Sequence, residues 1–195
     1  MMDPLQWLDA LSGIAAATRC RLAGRDADLN AGFTAVAGLL RETRAAGGSV
    51  WWVGNGGSCA MCSHLSQDVM NKLGLRSQVL SDPSLMTCMA NDFGYAEVYA
   101  RPLAQLSRPG DLLIAISSSG NSSNILACAD FAADAGLRLV TLSAFDPGNQ
   151  LWARPADAAF HLSFSLYGLA EVGHEALLHA AIECLFLSEQ HQRGA

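Results

Sequence analysis

The sequence predicts one α/β domain: a five-stranded parallel sheet between two layers of helices, behind an N-terminal helical extension. Three observations carry this reading. Short apolar runs alternate with longer stretches of helical periodicity. The runs are apolar at nearly every position, as strands covered on both faces must be. Two of them end in turns rich in glycine or serine, where open parallel sheets bind ligands. A chain of 195 residues suits a single domain over 1–195, with the extension over 1–46.

Residues 3–46 read as two helices. "PLQWLDALSGIAAATRCRL" and "ADLNAGFTAVAGLLRETRAAG" space their apolar residues near 3.6, and "GRDAD" breaks the pattern between them. Strands are expected at 49–54 ("SVWWVG"), 77–81, 111–117 ("DLLIAIS"), 137–144 and 158–164. Helices are expected from Ser58 to Lys72, across "PSLMTCMAN" and "YAEVYARPLAQL", and over "SNILACADFAADAG". "GLAEVGHEALLHAAIECLFLSEQ" closes the chain as a long helix.

Composition narrows the function. Hydrophobic residues make up 51% and charged residues 15%, with a formal net charge of -6. The chain has no cluster of Lys or Arg, which argues against nucleic acid and anionic membrane as partners. "MMDPLQWLDALSG" has no basic leader region, and no apolar stretch is long enough to span a bilayer, so the cytoplasm is the expected compartment. The excess of Ala and Leu points to helices buried between subunits. Cysteines 20, 59, 62, 88, 128 and 184 are expected as buried thiols. "CAMC" also has the spacing of a redox or zinc pair, although no second pair completes a zinc site.

The two polar turns hold the chemistry. "GNGGS" (54–58) follows "VWWV", and "SSSGNSSN" (117–124) follows "LLIAI". Glycines let a ligand approach the backbone, while serines add hydroxyls to the free N–H groups of the next helix. Neither the Walker A pattern nor the dinucleotide fingerprint is present. Hydroxyls without a lysine suit the phosphate monoester of a small molecule. Helix capping accounts for one such serine, not five.

Downstream, His64 and Asp68 stand four residues apart on one helix face. The last helix carries Glu171, His174, Glu175 and His179. Two helices that each offer a histidine and a carboxylate can hold a divalent metal or form an acid/base pair. Spacing alone leaves Glu171 and Glu175 equal as the second carboxylate.

Taken together, "GNGGS…H", "ANDFG", "GDLLIAISSSGNSSN" and the closing "E…H…H" resemble the sugar isomerase (SIS) domain. More narrowly they are similar to the phosphoheptose isomerases, which interconvert sedoheptulose 7-phosphate and D-glycero-D-manno-heptose 7-phosphate. The resemblance covers nearly the whole chain and implies the SIS fold, a homotetramer and a cytoplasmic enzyme of heptose biosynthesis. It implies substrate contacts at Asn55, Gly56, Gly57, Asn91, Asp92, Ser117, Ser118, Ser119, Ser122 and Glu171, with the serines gripping the phosphate. It also implies one Zn²⁺ per subunit on His64, Asp68, Glu171 and His179, with Asp68 and His179 as the catalytic pair. His161 and His174 are expected to be structural or exposed. Where the family has His, Glu, Gln and His, this chain has Asp68 for Glu and Glu171 for Gln. Some proteins of this kind serve instead as non-catalytic adaptors for the replication initiator, but those lack the acid and the final histidine. A sugar-phosphate sensor would use the turns and leave the acid and histidines without a role.

Overall fold

The computed structural model describes residues 2–194. Met1 and Ala195, the ends of the expected domain, lie outside the described residues. The chain opens with α1 (Pro4–Ser12) and α2 (Ile14–Ala17), a hairpin of β1 (Thr18–Leu22) and β2 (Arg25–Ala27), and α3 (Leu29–Ala45). It continues through β3 (Ser49–Gly54), α4 (Gly57–Leu73), β4 (Arg76–Val79), α5 (Pro83–Phe93), a 3-10 turn at Tyr95–Glu97 and α6 (Ala100–Leu106). Then come β5 (Leu112–Ser117), α7 (Ser123–Ala135), β6 (Arg138–Ala144), α8 (Gln150–Ala153), β7 (Ala158–Leu162) and α9 (Tyr167–Gly194).

The sheet order is β2-β1-β7-β6-β5-β3-β4. The five strands from β3 to β7 pair in parallel, as their two-sided apolar character predicts. Successive side chains of β3 enter opposite cores. Val50 and Trp52 pack with Leu65 of α4 and Ile182 of α9, whereas Trp51 and Val53 pack with Leu103 of α6 and Ile125 of α7. The result is three layers. No helix among the described residues is long and apolar enough to cross a membrane.

The N-terminal extension departs from expectation. Residues 18–27, read as the end of one helix and a break, form the β1–β2 hairpin instead, and β1 joins β7 antiparallel, so the sheet has seven strands. "TRCRL" fits a two-residue period as well as a helical one: Cys20 turns into the core, and Arg21 reaches Asp26 across the hairpin at 3.0 Å. The connection is Ala23–Gly24, with φ of 47° and 78°. Positive φ at both central residues is the turn geometry whose twist matches a two-residue hairpin. The thiols also divide. Cys20, Cys62 and Cys128 are buried as expected, Cys59 is half-buried, and Cys88 and Cys184 are exposed.

A buried polar network lies beneath the C-terminal end of β6. Asn149 donates to the Ser143 hydroxyl at 3.3 Å, and that hydroxyl stands 3.2 Å from His161 Nδ1. The Nε2–H of His174 donates to the Ser143 carbonyl oxygen at 3.0 Å. Both histidines are wholly buried and serve as structural groups. Burial disfavours the imidazolium and pushes His174 down to about 4 from its ordinary 6.5. Its neutral form belongs to the fold. Between pH 6.5 and about 4 the unfolded chain therefore takes up a proton that the folded chain refuses, and stability falls as acid is added. Urea titrations at pH 7 and pH 4.5 should show this loss reduced by about 2 kcal/mol in His174→Gln. An unchanged loss would mean that His174 is not the group responsible.

Candidate active site

β3 and β5 pair in parallel with Gly54 level with Ile116, so the two polar turns leave the same edge of the sheet side by side. From β3 the chain proceeds outward to β4 and then returns to β5 on the other side. This reversal opens the crevice in which such sheets bind ligands.

The serine turn is shaped from below. Gly120 has φ +64°, and any Cβ there would collide with the side chain of Asn149. The carbonyl of Gly120 accepts from the Leu151 N–H at 2.9 Å. Asn149 is itself fixed: its amide donates to the Asp146 carbonyl at 2.6 Å, and its oxygen accepts from the Trp152 N–H at 2.8 Å. Ser122 occupies the cap position of α7, yet its hydroxyl makes no capping bond. It accepts from Ser117 Oγ at 3.2 Å, while the Ser118 hydroxyl is buried with no partner. Capping therefore does not account for these serines, and the first N–H groups of α7 remain open to an anion.

The two turns are clamped together. Asn55 and Asn124 exchange side-chain amide bonds at 2.9 Å in each direction. Tyr95 adds its hydroxyl to the Asn55 oxygen at 3.2 Å. Between the turns lies a cavity of about 150 Å³, bounded by Asn55, the four serines 117, 118, 119 and 122, Tyr167 and Glu171. A larger apolar groove of about 590 Å³ between α5 and α6 is lined by none of the expected site residues.

α4 and α9 run side by side in the same direction. Gly57 faces Glu171, His64 and Asp68 face His179, and Lys72 faces Glu183. Gly57 lies directly beneath the carboxylate of Glu171, where a Cβ would stand 2.6–2.7 Å from both of its oxygens and displace that side chain. Further along, one donor atom each from His64, Asp68 and His179 lies within 4.8 Å of the others. The imidazole rings of the two histidines are 5.1 Å apart. His179 Nδ1 is 3.5 Å from Asp68 Oδ2 and is buried without a hydrogen-bond partner. Two imidazoles, a carboxylate and an orphaned ring nitrogen suit a zinc-like ion.

Lys72 and Glu183, which sequence reasoning missed, complete this cluster. Lys72 Nζ stands 2.8 Å from Asp68 Oδ2 and 2.8 Å from Glu183 Oε1. Its bond to Asp68 first, and to Glu183 second, raises the lysine above its ordinary value. The same contact holds Glu183 below the usual carboxylate range. Both could have been found as the residues four places beyond Asp68 and His179. Tyr95, Asn124 and Tyr167 also went unread, because only the folded chain brings them to the turns.

The remaining expected residues are placed as follows. Gly56, at φ +56°, precedes the first residue of α4. Asn91 and Asp92 are exposed at the end of α5, where the Asn91 amide donates to Asp92 at 2.8 Å; neither lines the cavity nor joins the histidine group. Glu171 lines the cavity and is not in the His64–Asp68–His179 group. Glu175 is in neither.

Comparison with known proteins agrees with this arrangement. The family described as SIS domain matches residues 16–144. A phosphoheptose isomerase of Serratia proteamaculans is 36% identical over 139 residues, which cover 69% of this chain and 72% of that protein. A phosphoheptose isomerase of Sodalis glossinidius is 38% identical over 115 residues, 56% of this chain and 59% of that protein, so the match spans a little over half of its length. In three dimensions, the phosphoheptose isomerase of Neisseria gonorrhoeae superposes with a TM-score of 0.80 over 93% of both chains, at 24% identity. The five parallel strands, the two clamped turns and these matches agree: the chain belongs to the SIS domain family, in its phosphoheptose isomerase group.

Proposed function

We propose that the chain is an aldose–ketose isomerase that converts sedoheptulose 7-phosphate to D-glycero-D-manno-heptose 7-phosphate through an enediol. The observation that carries this reading is the convergence of His64, Asp68 and His179 on helices that also wall a hydroxyl-lined cavity. In the reaction, Asp68 and His179 serve as the acid/base pair. One removes the proton from the carbon beside the carbonyl while the other protonates the carbonyl oxygen, giving the enediol. The second group then takes the proton of the other enediol hydroxyl as the first returns its proton to the former carbonyl carbon. No outside oxidant or reductant is needed. Lys72, at 2.8 Å, keeps Asp68 oriented. His64, Asp68 and His179 would hold a Zn²⁺ ion, one per subunit, which would polarise the sugar oxygens.

The serine turn and the start of α7 take the phosphate, with Asn55, Gly56, Gly57 and Glu171 along the wall. Asn91 and Asp92 are assigned to the ligand from the end of α5, a segment that Tyr95 ties to Asn55. An adaptor or sensor would have no use for an acid set between two histidines. The site of action is the cytoplasm.

Incubating the enzyme with sedoheptulose 7-phosphate should produce an aldose signal by NMR. Asp68→Asn and His179→Ala should each lower kcat by about 10²–10⁴-fold, while exposed His191→Ala should not. Failure of the wild type to form any aldose, with or without Zn²⁺, would favour the adaptor or sensor. For the phosphate turn, Ser119→Ala combined with Ser122→Ala should weaken sugar-phosphate affinity about 10- to 100-fold in calorimetry. Thermal stability should change little, and an unaltered affinity would refute the assignment.

We also assign a homotetramer. α1 and α5 bury none of their residues within one chain, and Leu5 and Leu8 of α1 are 77% and 57% exposed. Such apolar faces are normally covered by another subunit. Light scattering at micromolar concentration should report four chains per particle, and a monomeric mass would exclude the assembly.

A further inference from the structure

Glu171 is out of place in a cavity that binds phosphate. The cavity lining contains hydroxyls, amides and a phenol but no Lys or Arg, so its one formal charge is the carboxylate of Glu171. Among the described residues Glu171 enters no ion pair within 4.0 Å. Its oxygens lie against Gly57, the first residue of α4, where the helix dipole favours a negative group. The chain thus sets its own anion beside the N-terminus of α4, while the N-terminus of α7 opens on the serine turn. A phosphate entering the serine turn meets this carboxylate across a cavity of about 150 Å³.

A cation held by the His64–Asp68–His179 group would offset that repulsion. Glu171 stands two turns before His179 on α9, and Gly57 two turns before His64 on the parallel α4. The carboxylate, against Gly57, and the His64–Asp68–His179 group both lie where α4 and α9 face each other, about two turns apart. We propose that Glu171 makes phosphate binding in the serine cavity conditional on a divalent cation, so that the two ligands bind cooperatively. The proposal rests on the reading that the serine cavity takes the phosphate. An amide at this position would remove the charge, keep the shape and leave phosphate binding largely indifferent to the ion.

The test is isothermal titration calorimetry of sedoheptulose 7-phosphate into the full chain and into Glu171→Gln, each in EDTA and at saturating Zn²⁺. Wild type should bind about tenfold more tightly with Zn²⁺ than without it. In EDTA, Glu171→Gln should bind about tenfold more tightly than wild type, and its gain from Zn²⁺ should be smaller. Reciprocally, the sugar phosphate should tighten Zn²⁺ binding in wild type by the same factor as Zn²⁺ tightens the sugar phosphate. A variant that binds no more tightly than wild type in EDTA overturns the proposal, as does an equal gain from Zn²⁺ in both proteins. These results leave the phosphate assignment standing. If neither protein binds the sugar phosphate under any condition, both readings fall together.

Discussion

Parallel strands deliver their chain to the same edge of a sheet, and the pairing of β3 with β5 does this where the strand order reverses. Most of the site depends on that pairing. With Gly54 level with Ile116, the turns that follow cannot avoid one another, and each leads directly into a helix. The reciprocal bond between Asn55 and Asn124 then turns proximity into a fixed crevice. Neither amide is free to wander, because each satisfies the other.

The helices that follow divide the labour by length. α4 starts at the crevice and runs parallel to α9, so successive turns of the two helices meet in register. At the start the pairing is a close packing of Gly57 on a carboxylate. Two turns on it is an acid between imidazoles, and at the end it is the ion pair of Lys72 with Glu183. The last pair is partly exposed and adds modest stability. Its effect on the site is positional, because the same ammonium holds Asp68, which is buried. Beneath the crevice, Asn149 supports Gly120, so the serine turn rests on a buried, fully bonded side chain.

Several of these features are legible in the residues alone. "VWWV" and "LLIAI" read as strands because both faces of the sheet are covered, which forces apolar residues at every position. His64 and Asp68 read as neighbours because a helix places residues four apart on one face. The β1–β2 hairpin did not read, since "TRCRL" satisfies both periods and its turn uses Ala23 at positive φ, which leaves little trace in composition. Nor did the exposure of Cys88 and Cys184, because helical apolar surroundings do not say which face is buried.

By itself, the sequence determined the alternating architecture, the two polar turns and which residues carry hydroxyls, imidazoles and carboxylates. Those are local properties, set by periodicity and side-chain chemistry. The tertiary structure decided which of them meet. It joined His179 to His64 and Asp68 across more than a hundred residues, and brought Lys72 and Glu183 beside them. It also sent Glu171 to the serine cavity, although spacing allowed it among the histidines. The reason is physical: helical spacing fixes which residues share a face, but only the register between two packed helices fixes what that face touches.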